Sequence, residues 1–162
     1  MTQVYLALYK GRKRGKNPRQ LWQRLTDWAV RTATHAQYSH CEIAVKHSFA
    51  DDYHCYSASL RDGGVRSKTM PLPEAKWDLI ELPDSSGSLK TNLAAVFAQT
   101  QGQRYDLPGA LGVVLANRQR ADKWFCSEFC ATVLGLRDAW RFSPNDLAAI
   151  AGSLKIQAET KA

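Results

Sequence analysis

Tyr38-Ser39-His40-Cys41-Glu42-Ile43-Ala44-Val45 reads as a β-strand. Cys41, Ile43 and Val45 alternate with His40, Glu42 and Ala44, so one face is apolar and the other partly polar. A histidine at the mouth of such a strand can lean over a helix N-terminus in an adjacent layer. The helix start that suits it is Trp124-Phe125-Cys126-Ser127-Glu128-Phe129-Cys130.

Working outward, Val4 to Tyr9 reads as a short buried strand. Further strands are expected at His54–Ser59, Val65–Met70 and Trp77–Leu82, with a turn at Arg61-Asp62-Gly63-Gly64. Together they predict a small antiparallel sheet. Helices are expected from Pro18 to about Thr34, over Leu89–Gln101, over Leu107–Ala116 and over Phe125–Leu134, the last ending at Gly135. Ser143 and Pro144 open a final helix as cap and first residue. Strands then helices, rather than strict alternation, give the class α+β. A length of 162 residues predicts one domain, 1–162, with its core over about 3–150 and a frayed tail from Gln157.

The apolar fraction of 44% and charged fraction of 23% match a soluble globular chain and argue against disorder. The N-terminal apolar run is short and its charge follows it, the reverse of a signal peptide, so synthesis in the cytoplasm is expected. The net charge is +7, much of it in the Lys10–Arg19 run. That run is either a solvated loop or a site for an anionic partner, nucleic acid included.

The four cysteines are Cys41, Cys55, Cys126 and Cys130. Cys126 stands at a helix start, where unpaired backbone N–H groups and the helix dipole favour a thiolate. The same N–H groups can hold an oxyanion. Cys130 lies one turn deeper and reads as core. His40 is the preferred base; His35, His47 and His54 occupy weaker positions. Zinc is the competing use of the His and Cys residues. There is no Cys-Xaa-Xaa-Cys pair, however, and adjacent strand residues point to opposite faces. No metal or cofactor is therefore expected.

Four segments in order are similar to the circularly permuted NlpC-type papain-like cysteine hydrolases: Tyr38–Ile43, Tyr56–Val65, Arg104–Asp106 and Phe125–Phe129. Those families include amide- and lipid-processing hydrolases and relatives of lecithin-retinol acyltransferase. The chain also resembles a set of bacteriophage and prophage proteins. The likeness covers about residues 3 to 150. It implies a permuted papain-like fold, Cys126 as nucleophile, His40 as base, and Tyr105 lining the site as an oxyanion donor. It also implies a polar residue on the next strand that orients the imidazole. No acid stands there; Ser57 is the expected occupant, with Ser59, His54 and Glu42 as fallbacks.

The implied activity is hydrolysis or acyl transfer at an amide, ester or thioester, with a peptidoglycan peptide or an acyl lipid among the substrates. A phage origin would place the protein in a host cytoplasm or on a virion. Two other readings stay open. One is a binding or structural module without turnover, suggested by the weak third residue and the basic Lys10–Arg19 run. The other is nucleic-acid binding through the basic run.

Overall fold

The computed structural model describes residues 2–11, 37–84, 86–112 and 122–160. In chain order the strands are β1 (Thr2–Tyr9), β2 (His40–His47), β3 (Tyr53–Ser59), β4 (Gly64–Met70) and β5 (Trp77–Glu81). Then come α1 (Ser88–Thr100), β6 (Arg104–Tyr105), α2 (Leu107–Gly112), β7 (Lys123–Trp124) and α3 (Cys126–Val133). A 3-10 turn at Ala139–Arg141 precedes α4 (Pro144–Thr160). The class is α+β. The helix expected from Pro18, His35, and most of the Lys10–Arg19 run lie outside the described residues. So does the end of the helix expected over Leu107–Ala116.

The sheet is larger than expected. Among the described residues seven strands run in the order β5-β1-β2-β3-β4-β6-β7, and the β6–β7 pair is parallel. The two extra strands have two residues each, too short for any periodicity to announce them. Gly64 explains how β6 joins. A Cβ there would sit 1.9 Å from the Gln103 carbonyl oxygen, so only glycine allows β4 and β6 to approach this closely. Tyr105, one residue past the Gly64–Arg104 pair, is thereby brought beside the main sheet.

Register puts the apolar alternation on one face. Leu6 pairs with Ile43 and Leu8 with Cys41 across β1 and β2. Their side chains join Phe129, Cys130 and Val133 of α3, with Leu147 and Ala151 of α4, in one buried cluster. Each fully buried large side chain there contributes about 1.5–3 kcal/mol. The opposite face carries a smaller cluster of Ala7, Ala44, Cys55, Leu72 and Trp77.

Two helix boundaries bear on the site. Ser143 caps α4 in a reciprocal box: its Oγ accepts from the Asp146 N–H at 3.2 Å, and Asp146 Oδ2 accepts from the Ser143 N–H at 2.8 Å. The next residue but one, Asn145, then holds the backbone of Tyr38 from both sides, with Tyr38 N–H donating to Oδ1 and Nδ2 donating to Tyr38 O, each at 3.1 Å. The chain entering β2 is thus anchored two residues before His40. At its far end α4 continues through Thr160, where fraying from Gln157 is the sequence expectation.

Candidate active site

Cys126 is the first residue of α3 and is 5% exposed. The preceding Phe125 is extended and makes no side-chain cap bond to the helix. The Cys126 thiol is held well below the ordinary thiol range. The largest cause is hydrogen bonding from the Cys41 side chain; burial opposes it; the charge and hydrogen bond of His40 and the Cys41 backbone N–H add to the lowering. Cys41 itself is pushed well up, first by burial and then by its contacts with Cys126 and Cys130. Helix position alone understates this environment, because Cys41 supplies a donor from the facing strand.

His40 begins β2, where its ring meets Cys126. Burial disfavours the imidazolium, but the thiolate charge of Cys126 and hydrogen bonds to Cys126 and Glu42 outweigh it and raise His40 to about 10. His40 Nε2 lies 3.0 Å from Glu42 Oε1. A carboxylate at Nε2 fixes a proton on that nitrogen.

Glu42 is 1% exposed and is in turn gripped by Arg66. Arg66 Nη1 donates to Oε2 and Nη2 to Oε1, both at 2.8 Å, while its Nε donates to Asp62 Oδ2 at 2.8 Å. Burial would raise the Glu42 carboxyl, but the Arg66 and His40 hydrogen bonds overcome it and lower the group to about 2. A hydrogen-bonded line therefore runs Asp62–Arg66–Glu42–His40, and His40 acts electrostatically on Cys126.

This arrangement corrects the expectation for the imidazole's partner. Ser57 is fully buried, but its hydroxyl donates to the Cys41 carbonyl at 2.7 Å. It braces the strand and makes no bond to the imidazole. Ser59 supports Asp62 by a hydrogen bond. His54 lies opposite Val45, roughly 16 Å along the strand from His40 at the rise of an extended chain, and its Nδ1 meets Thr69 Oγ1 at 3.1 Å. Glu42, one of the fallbacks, is the residue that bonds the imidazole. Its signal was the two-residue spacing from His40, which puts both on one strand face. Arg66 and the donor role of Cys41 carried no comparable signal.

Tyr105 and His40 line one cavity of about 170 Å³, with Glu42 and Arg66 on its wall. Cys126 is not among the residues that line it. Among the described residues, no group of three or more His, Cys, Asp or Glu side chains is placed to hold a metal ion, and no helix is long and apolar enough to cross a membrane. Comparison with protein-family models, with curated proteins and with solved structures finds no match.

Proposed function

We propose that the protein is a cysteine-dependent hydrolase or acyltransferase on a permuted papain-like scaffold. The observation that carries this reading is the hydrogen-bonded line Arg66–Glu42–His40, whose imidazole acts on the Cys126 thiol at the start of α3: a base and an orienting acid, the acid itself held, beside a nucleophile. A histidine strand preceding a cysteine helix, packed face to helix, fits the permuted order.

In the proposed reaction the Cys126 thiolate attacks the carbonyl carbon of an amide, ester or thioester. The new C–S bond pushes the carbonyl pair onto oxygen, and the oxyanion is held by the N–H at the start of α3, with Tyr105 as a second donor. Collapse expels the amine, alcohol or thiol, which takes the proton from the His40 imidazolium. His40, neutral now, removes a proton from water or another acceptor. That nucleophile attacks the acyl-enzyme, and Cys126 leaves as thiolate. Glu42 keeps the imidazole in the tautomer this cycle needs.

The alternative of a module without turnover has two motives, a weak third residue and the basic Lys10–Arg19 run; the Glu42 carboxylate on His40 weighs against the first. A peptidoglycan peptide is the first substrate to try, given the resemblance to phage proteins.

The test is active-site labelling and acyl trapping. The protein is incubated with peptide thioesters and activated esters, quenched, and mass-analysed, alongside Cys126→Ala. The expected result is a single acyl adduct on Cys126, absent from the variant. Labelling that is unchanged in Cys126→Ala would sink the assignment.

A further inference from the structure

The side chain of Asn145 bonds both backbone polar groups of one residue, Tyr38: its Oδ1 accepts from the N–H and its Nδ2 donates to the carbonyl, each at 3.1 Å. One planar amide thus spans both backbone torsions of Tyr38, and turning either breaks a bond. The amide stands on a fixed base, because the Ser143–Asp146 box locks the first turn of α4. The Tyr38 side chain is tied separately, its hydroxyl donating to Asp78 Oδ2 on β5 at 2.8 Å.

Sheet pairing holds the start of β2 from one side. β1 pairs with it from His40 onward, and the Ser39 N–H donates to Tyr9 O at 3.2 Å. Among the described residues β3 pairs only with Ile43, Ala44 and Val45 of β2. His40 therefore stands beyond the last residue paired on both sides, at a strand end, where opening is easiest. Asparagine at 145 is also a poorer helix former than alanine, so the helix alone does not call for it.

We propose that Asn145 is a positioning residue for the reaction: its clamp on Tyr38 sets the direction in which β2 begins, and so the placement of the His40 imidazole toward Cys126. The proposal rests on the reading of His40 as base and Cys126 as nucleophile. A displacement of about 1 Å between reacting groups can cost on the order of a hundredfold in rate, so a restraint two residues before the base bears on the chemistry.

The experiment follows iodoacetamide labelling of Cys126 from about pH 6 to about pH 9. It compares the unaltered protein with Asn145→Ala, Asn145→Asp and Ala149→Gly, each checked as folded by circular dichroism. Labelling in the unaltered protein varies little over this range. In Asn145→Ala the rate near pH 6 falls by about threefold to tenfold, the worth of one net hydrogen bond. Near pH 9, where thiols ionise without help, it changes by less than about twofold. Asn145→Asp keeps the acceptor for the Tyr38 N–H and puts its charge in the first helical turn, where it is favoured, so it folds and shows a smaller loss near pH 6. Ala149→Gly weakens the same helix at an exposed position, leaves both Tyr38 bonds in place and keeps the flat profile. Flat profiles in both Asn145 variants overturn the positioning role and leave the nucleophile reading standing. Equal steepening in Ala149→Gly overturns it as well, because helix stability alone then accounts for the change. An ordinary thiol profile in the unaltered protein, gaining about tenfold per pH unit, overturns the nucleophile reading and the positioning role with it.

Discussion

Arg66 holds Glu42 by both carboxylate oxygens, and each of the two bonds is 2.8 Å long. Fork-to-fork geometry of this kind fixes direction as well as distance. The pair matters because Glu42 is nearly inaccessible and would otherwise be an isolated buried charge. Replacing Arg66 with methionine removes the partner and leaves the charge. Unfolding in urea should show a loss of about 3 kcal/mol, at the lower end for a broken buried pair because Arg66 keeps some solvent contact. The midpoint should fall with little change in slope. The double variant Glu42→Gln with Arg66→Met should recover part of that loss, since no buried charge remains.

Glu42→Gln tests orientation apart from stability. The amide can still bond the imidazole but brings no charge. Losing a charge-assisted hydrogen bond costs about 1.5–3 kcal/mol, or roughly tenfold to a hundredfold in acylation rate. The alkylation profile of Cys126 should also move to higher pH, because the imidazolium that favours the thiolate is less supported. A rate loss without that movement would point to a packing role.

The cysteine–histidine pair predicts a plateau in stability against pH. His40 is raised from 6.5 to about 10, so its contribution is complete below 6.5 and lost as pH rises through 10. Cys126 is lowered well below 9.0, so its contribution is present above 9.0 and lost as pH falls through its folded value. Between 6.5 and 9.0 folded and unfolded pairs each hold one proton, and the two trends cancel. Stability should fall below 6.5, where the unfolded pair gains a second proton, and again above 9.0, where it loses its last. Glu42 adds a further loss as pH drops from 4.5 through about 2. Thermal denaturation across this range checks the shape. Iodoacetamide labelling of Cys126 should be nearly flat over the plateau, whereas an ordinary thiol gains about tenfold per pH unit below its pKa.

Cys41→Val tests the thiol donor. Valine suits a buried strand position and is close in volume, so stability should change by less than about 1.5 kcal/mol. The Cys41 backbone N–H stays, but the side-chain donor to Cys126 goes. The midpoint of Cys126 labelling should rise, and the rate at pH 6 should drop more than the rate at pH 9. Equal losses at both would mean the thiol does not tune its neighbour.

Much of this site was legible in the sequence because alternation and capping are local. His40, Glu42 and Cys41 could be sorted onto two strand faces by counting twos, and Cys126 placed at a helix start. The resemblance implies a partner for the imidazole on the adjacent strand, at Ser57, but the carboxylate that bonds it is on its own strand. Residues two apart on one strand lean to the same side, and that short reach was enough. Arg66 was out of range for another reason. Its position opposite Ser57 depends on β3–β4 register, set by the turn before Gly64, and register is a property of two strands. The two-residue strands β6 and β7 exist only through pairing, so nothing in their own residues foretold them.

His40, Cys41 and Glu42 are consecutive. One tripeptide therefore carries the imidazole, the thiol that acts on Cys126 and the carboxylate that bonds the imidazole, two directed to one side of β2 and one to the other. A slip of β2 against its neighbours would move all three together and leave their mutual geometry intact. The constellation is portable in this sense: its inner spacing belongs to the extended chain. A strand of another protein ending over a cysteine at a helix start needs only His-Cys-Glu at its first three positions, and an arginine opposite, to carry the same arrangement.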